Sequence, residues 1–139
     1  MEVVLFLAVA GFLAWLFLRP QPERDAAAAQ SWASFHGYAT ANGLQMLYVE
    51  HVYQRAARGS KAHVSIYGDP SGNKRDAWFW WTQVQKGSVV AVRPTVGWGP
   101  HTRRDDVLYI GTEVSRQSGV YGGIDARTLT NARRHNNRR

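Results

Sequence analysis

The chain has 139 residues with a formal net charge of +7, and 45% of its residues are hydrophobic. This length is enough for one modest core, and the apolar share excludes a wholly disordered chain. Because cysteine is absent, disulfide bonds, thiolate zinc sites and cysteine nucleophiles are excluded.

The first predicted element is an apolar helix. Residues 3–18 read VVLFLAVAGFLAWLFL without a charge, and Arg19 and Pro20 follow. At ~1.5 Å per residue this segment spans about 24 Å, and bilayer thinning with a snorkelling Arg19 would extend it towards the ~30 Å of a hydrocarbon core. The sequence therefore predicts a single transmembrane helix over residues 1–18. A cleaved signal peptide, giving a secreted protein, is the alternative.

The charges beside this segment predict its orientation. Arg19 and Arg24 follow it and no Lys or Arg precedes it, so the positive-inside rule predicts an N-terminus outside and a cytoplasmic C-terminal domain at the cell membrane. Residues 19–30, RPQPERDAAAAQ, contain two prolines and mostly small or charged residues. We expect them to form a linker that begins with the prolines, can run into a helix through the alanines, and holds the domain beside the membrane.

Residues 31–124 predict one small α+β domain. Ser31 is a candidate N-cap for a short helix that Gly43 can end, and Asp125 is a candidate N-cap for a last helix followed by a basic tail, together covering residues 125–139. Between the helices, β-branched and aromatic runs alternate with turn residues. The pattern indicates a curled antiparallel sheet of about four or five strands with a helix at each end.

The stretch DAWFWWTQVQ at residues 76–85 holds four consecutive aromatic residues. Lys86 and Gly87 fit a two-residue turn, which predicts a hairpin with the strand SVVAVRPTV. Strand alternation divides the side chains between two faces, Phe79 and Trp81 on one and Trp78, Trp80 and Val84 on the other. One face must meet the core, and the other is either covered by the helix that begins at Ser31 or left partly open, with Arg93 stacked on Trp80.

The positive charge lies in the predicted domain, because residues 31–139 hold 15 Lys and Arg against 7 Asp and Glu. This balance favours an anionic partner, which would be lipid headgroups, nucleic acid or an acidic protein. The candidate residues lie beside the aromatic run, in the glycine-rich loop GWGPHTRRDD and in the tail: Lys74, Arg75, Trp80, Arg93, Arg103, Arg104, Arg133, Arg134, Arg138 and Arg139. The alternatives are a solvated tail and a loop whose arginines pair with neighbouring aspartates.

The sequence contains no recognisable catalytic or metal-binding motif. The five histidines do not stand at metal-ligand spacing, and the sequence leaves open whether His51, His63 and His101 converge in the fold. Asp76 and other acids lack a dyad or triad pattern. The sequence therefore predicts a protein that is not an enzyme and has no cofactor or metal.

Two functional hypotheses follow from these features. The first is a single-pass membrane-anchored accessory or binding protein, whose basic cytoplasmic domain engages an anionic partner at the inner membrane face. The second is a structural or regulatory subunit of a larger membrane complex, since Gly11 and the neighbouring alanines permit close approach to other membrane subunits. An enzyme whose site is assembled only by tertiary contacts ranks third.

Overall fold

A computed structural model describes residues 2–18, 22–93, 95–96 and 107–139. The helices in these ranges are α1 (Glu2–Leu18), α2 (Pro22–Ala41) and α3 (Ala126–Asn136). The strands are β1 (Gln45–Ala56), β2 (Gly59–Ile66), β3 (Lys74–Trp80), β4 (Val89–Val92), β5 (Thr95–Val96), β6 (Val107–Ile110) and β7 (Val120–Ile124).

Helix α1 corrects the prediction for the N-terminal segment. It has 17 residues, which corresponds to about 26 Å and falls short of a ~30 Å hydrocarbon core. Within the ranges that the structure describes, no helix combines the length and the apolar character needed to cross a membrane. The predicted transmembrane helix is therefore wrong, and so is the single-pass placement in the cell membrane that was predicted from it.

Helix α2 begins at Pro22 rather than at Ser31, and therefore includes most of the predicted linker. Proline is favoured in the first turn of a helix, and acidic residues there interact favourably with the positive end of the helix dipole. The alanine run adds high helix propensity. The helix ends at Ala41, and Gly43 follows it with a φ of 62°, as predicted for a left-handed terminator.

The strands form one curled mixed sheet in the order β5-β6-β3-β2-β1-β4-β7, with the two-residue β5 at one edge. Strands β3 and β6 pair in parallel, and the other neighbours pair antiparallel. The α+β class is confirmed, but the predicted antiparallel sheet of four or five strands is wrong. A parallel pair joins strands far apart in the chain, so local sequence patterns do not reveal it.

The predicted hairpin between the aromatic run and the next strand is also wrong. Strand β3 lies between β2 and β6, whereas β4 lies between β1 and β7. The aromatic strand ends at Trp80, because Trp81 has a φ of 56° and donates its backbone N–H to the carbonyl of Arg58 at 2.7 Å. The Gly87 N–H then donates to the carbonyl of Val49 at 2.8 Å, which directs the chain to β1 instead of back along β3.

The curled sheet has two faces with different coverings. We call the face that carries Ala77 and Phe79 the core face, and the face that carries Trp78 and Trp80 the outer face. The core face encloses a cluster that includes Leu47, Val49, Val64, Phe79, Val84, Val92, Leu108 and Ile110. Because the sheet curls around this cluster, its own strands supply most of the core. Val84 belongs to this cluster with Phe79, and not with Trp78 and Trp80 as predicted.

A second cluster lies on the outer face at one end of the sheet. Helix α2 packs on β1 and β7, and α3 packs on α2. The buried residues of this cluster are Phe35, Ala39, Leu44, Val89, Ala91, Ile124 and Leu129. Helix α3 begins as predicted, with Asp125 as its N-cap. The helices thus occupy the outer face over β1, β4 and β7, and the outer-face side chains of β2, β3 and β6 lie beyond them.

Candidate functional site

Two rows of side chains cross the outer face beyond the helices. Strand register places the first row side by side on β1, β2, β3 and β6: Gln54, Lys61, Trp78 and Tyr109. The second row lies two residues along β2, β3 and β6 and three residues along β1: His51, His63, Asp76 and Val107. Neighbouring strands are ~4.8 Å apart and alternate residues share a face, so these side chains form one continuous surface. We call it the open face.

Two irregularities in β1 bring its side chains onto the open face. The register with β2 shifts between Val49 and His51, and again between Val52 and Gln54. In a regular strand His51 would share the core face with Val49, because alternate residues point the same way. The first shift instead pairs His51 with His63. The second makes Tyr53 an extra residue, and bulges of this kind redirect side chains near binding sites.

The first row borders an aromatic cleft of about 280 Å³. Its lining includes Tyr53, Lys61, Asp76, Trp78, Trp80 and Tyr109. The Lys61 Nζ lies 5.4 Å from the centroid of the Trp78 ring, which is cation–π geometry. The cleft therefore offers a half-buried indole with an ammonium group beside it.

The second row contains a hydrogen-bonded acid and base. His63 Nδ1 lies 3.0 Å from Asp76 Oδ1, and a carboxylate can only accept, so Nδ1 carries the proton. The Tyr53 hydroxyl donates to the same Oδ1 at 3.4 Å, and its ring lies 4.7 Å from that of His63. The rings of His51 and His63 are 6.3 Å apart and within 15° of parallel. This arrangement fixes the His63 ring and leaves its Nε2 as a proton acceptor.

The charges of the open face are mixed but locally separated. Asp76 is held by His63 and Tyr53, and the other carboxylate nearby, Glu50, accepts from Ser65 Oγ at 3.0 Å. Lys61 and Lys74 carry the positive charge of this region of the sheet. A phosphate that approaches the cleft would meet the Lys61 ammonium beside the Trp78 ring, and the Asp76 carboxylate that also lines the cleft is hydrogen-bonded to His63 and Tyr53.

Only some of the predicted candidates beside the aromatic run lie on the open face. Lys74 and Arg75 are exposed at the start of β3. Trp80 lies on the outer face but is only 8% exposed, so Trp78 presents more of its ring to the cleft. The sequence-based prediction therefore located the aromatic strand but emphasised the more buried ring.

The stacking of Arg93 on Trp80, one of the two arrangements left open by the sequence, is not found. Arg93 lies at the end of β4, donates from Nη2 to the Asn42 carbonyl at 3.1 Å, and stacks 5.6 Å from the ring centroid of Tyr121. The intervening strands β2 and β1 separate it from the aromatic strand. Arg103 and Arg104 lie outside the described residues, as does His101.

The basic C-terminal residues belong to the helix pair and not to the open face. Arg134 Nη1 lies 3.8 Å from Asp25 Oδ1, and Arg138 Nη1 lies 3.3 Å from Asp25 Oδ2. Asp25 is only 1% exposed, so these arginines balance a buried charge between α2 and α3. Arg133 and Arg139 are exposed. The predicted cationic residues that the structure describes therefore do not form one surface.

Sequence reasoning missed several members of the open face, above all Lys61, Tyr53 and Tyr109, and did not pair His63 with Asp76. A signal was present, because Lys61 and His63 alternate with Ala62 and Val64, as Asp76 and Trp78 alternate with Ala77 and Phe79. Across the described ranges, no group of three His, Asp or Glu side chains has the geometry of a metal site. Comparisons of the chain with protein-family models, curated protein sequences and solved structures give no match.

Proposed function

We propose that the domain binds single-stranded nucleic acid on its open face. The observation that carries the proposal is the Trp78 ring, half-buried at the cleft, with Lys61 Nζ 5.4 Å from its centroid and Tyr109 beside it in register. Proteins that bind single strands combine aromatic rings, on which bases stack, with cations that contact the phosphates. Lys61 and Trp78 supply one of each.

The size and charge of the surface favour this partner over the other anionic candidates. A cleft of about 280 Å³ is slightly below the ~300–1,000 Å³ of ordinary small-molecule sites, which suits one flat ring and not a bulky ligand. Lipid headgroups would use Lys61 but have no aromatic ring to place on Trp78, whereas every nucleotide of a single strand carries both a base and a phosphate. The net charge of +7 favours association with a polyanion in general.

Binding of a fluorescently labelled RNA oligonucleotide to the full chain tests the proposal. Trp78→Ala should weaken binding about 5- to 150-fold, the equivalent of ~1–3 kcal/mol for one stacked base. Tyr121→Ala is a matched control, because Tyr121 is also an aromatic strand residue with a cation over its ring but lies on β7. It should leave the affinity unchanged.

Two further measurements complete the experiment: the salt dependence of RNA binding, and binding to lipid vesicles. Affinity should fall as salt rises, because phosphate contacts release counterions. Equal effects of Trp78→Ala and Tyr121→Ala, or affinity independent of salt, would reject the proposal. Binding to vesicles that contain phosphatidylserine but not to RNA would instead assign the positive charge to lipid headgroups.

A further inference from the structure

We propose that the open face also cleaves the RNA strand it binds, without a metal ion, by transfer of the phosphodiester to the neighbouring 2′-hydroxyl. This inference rests on the proposed function. His63 is the general base and His51 the general acid, and both lie in the row of side chains next to the stacking row. The sequence contained no motif for this chemistry, because the residues come from three different strands.

His63 has the features that a general base requires. Its Nδ1 donates to Asp76 Oδ1 at 3.0 Å, so in the neutral ring the lone pair resides on Nε2. The side chain is 45% exposed, which leaves it accessible to a bound strand. Asp76 also stabilises the imidazolium that forms when Nε2 takes a proton, and Tyr53 donates to the same carboxylate oxygen at 3.4 Å. Asp76 and Tyr53 are thus positioning residues for His63.

His51 supplies a second proton-transfer group at a suitable separation. Its ring centroid lies 6.3 Å from that of His63, and the two planes are within 15° of parallel. The attacking and leaving oxygens stand on opposite sides of phosphorus in an in-line displacement, so the base and the acid must be separate groups. Two imidazoles about one phosphate apart meet that requirement, and histidine is the side chain best suited to both roles near neutral pH.

The neighbouring row would hold the substrate for this step. Lys61 lies two residues before His63 on the same face of β2, about 7 Å along the strand. A base stacked on Trp78 therefore places its phosphate near Lys61 and the two histidines. The Lys61 ammonium stabilises the extra negative charge that develops on the phosphate oxygens in the transition state.

The proposed step is balanced in atoms and charge. His63 Nε2 takes the proton of the 2′-hydroxyl while the 2′ oxygen forms a bond to phosphorus. The bond from phosphorus to the 5′ oxygen breaks, and protonated His51 gives its proton to that oxygen. The products are a 2′,3′-cyclic phosphate and a 5′-hydroxyl end. No water is consumed and nothing is oxidised or reduced.

The test incubates the full chain with an oligoribonucleotide in the presence of EDTA and identifies the products by mass spectrometry. Ends with a 2′,3′-cyclic phosphate and a 5′-hydroxyl are expected, and an oligodeoxyribonucleotide of the same sequence should remain intact because it lacks the nucleophile. At saturating RNA, His63→Gln and His51→Gln should each slow cleavage about 10²- to 10⁴-fold, so the loss is measured in the cleavage step and not in binding. His36→Gln, an exposed histidine on α2, is the matched control and should cleave at the wild-type rate.

The pH profile separates catalysis from a structural role. The titratable groups around the histidine pair are Glu50 and Tyr53 on β1, Lys61 on β2, and Lys74 and Asp76 on β3. The rate should be bell-shaped in pH, since the base must be unprotonated and the acid protonated. Asp76→Asn should slow cleavage, because asparagine does not stabilise the imidazolium that forms when His63 takes the proton.

Each result has a defined meaning. RNA that is bound but remains uncut would overturn this inference and leave the proposed function in place. RNA that is neither bound nor cut would reject both. Cleavage of the DNA strand, or cleavage by His63→Gln at the wild-type rate, would overturn the inference and point to a contaminating nuclease.

Discussion

Trp78 and Trp80 meet edge to face on the outer side of the sheet, with ring centroids 5.0 Å apart and an interplanar angle of 82°. The two indoles have different surroundings, because Trp80 is 8% exposed and Trp78 is only half-buried. The buried ring thus supports the accessible one. This contact links the stability of the sheet to the surface that we propose for binding.

Replacing each tryptophan in turn should show which ring stabilises the sheet and which is available for binding. Trp80→Ala should lower the free energy of unfolding by about 3–5 kcal/mol, the usual range for removing a buried aromatic ring. Trp78→Ala should cost less, because part of its ring already contacts solvent. Urea denaturation of both variants measures the difference, and a larger loss for Trp78→Ala would contradict this division of roles.

Gly59 should not accept a side chain. Its φ is 146°, and an added Cβ would overlap the carbonyl oxygen of Phe79 on the paired strand. Because a backbone atom cannot move aside cheaply, Gly59→Ala should lower the free energy of unfolding by about 3 kcal/mol. Gly72→Ala is the control, since Gly72 also has a positive φ, 62°, but nothing within 4 Å of the added atom. It should cost only about 1 kcal/mol, and equal losses in denaturation would refute the clash.

Removing the two arginines that pair with the buried Asp25 carboxylate should lower the free energy of unfolding more than removing the carboxylate itself. Replacing both Arg134 and Arg138 by Gln leaves a buried charge without a counter-ion and should cost about 3 kcal/mol. Asp25→Asn removes the charge itself, and the half-exposed arginines remain hydrated, so we expect a loss of about 1 kcal/mol. Arg133→Gln, an exposed position on the same helix, should change stability by less than about 0.5 kcal/mol. Thermal or urea unfolding would contradict the pairing if the double variant matched this control.

The N-cap of α3 should make part of the stability depend on pH. The backbone N–H of Thr128 donates to Asp125 and lowers the pKa of its carboxyl group below the ordinary value. A lowered pKa in the folded state means that the stabilisation is present above the unfolded-state pKa of about 3.9, and is lost as pH falls through the folded-state pKa. Asp125→Ala should cost about 1 kcal/mol at pH 7.

Denaturation at several pH values checks this dependence. The difference between the wild type and Asp125→Ala should be constant from about pH 8 to pH 5 and should shrink below about pH 4. Asp125→Asn keeps an acceptor for the Thr128 N–H without the titrating group, so it should retain most of the stability and differ little from pH 7 to pH 5. A difference between wild type and Asp125→Ala that grows on acidification would contradict the N-cap explanation.

The elements that the sequence predicted well depend on local chemistry. The helix end at Gly43 and the helix start at Asp125 follow from the conformations and hydrogen bonds of the residues themselves. The α+β class follows from short β-branched runs between helical segments. The sequence predicts the start of the helix over Pro22–Ala41 too late, because prolines and charges are typical of a linker although proline also initiates helices.

For the N-terminal helix, the apolar run predicts the helix correctly but not a membrane span. Its apolar sequence was apparent, but its 17 residues do not reach the length that the transmembrane interpretation required. The predicted hairpin failed for a related reason. Turn residues at Lys86 and Gly87 are compatible with a hairpin, yet the backbone conformation of Trp81 had already ended the strand.

The sequence by itself determined the positive charge, the absence of cysteine chemistry, the α+β class and the presence of an aromatic strand, because these follow from composition and short-range periodicity. Only the tertiary structure decided which residues form the open face. The parallel pairing of β3 with β6 places Tyr109 beside Trp78, and the two register shifts in β1 bring His51 and Tyr53 to His63. These contacts join segments far apart in the chain, and their register is determined by how the whole sheet packs around its core.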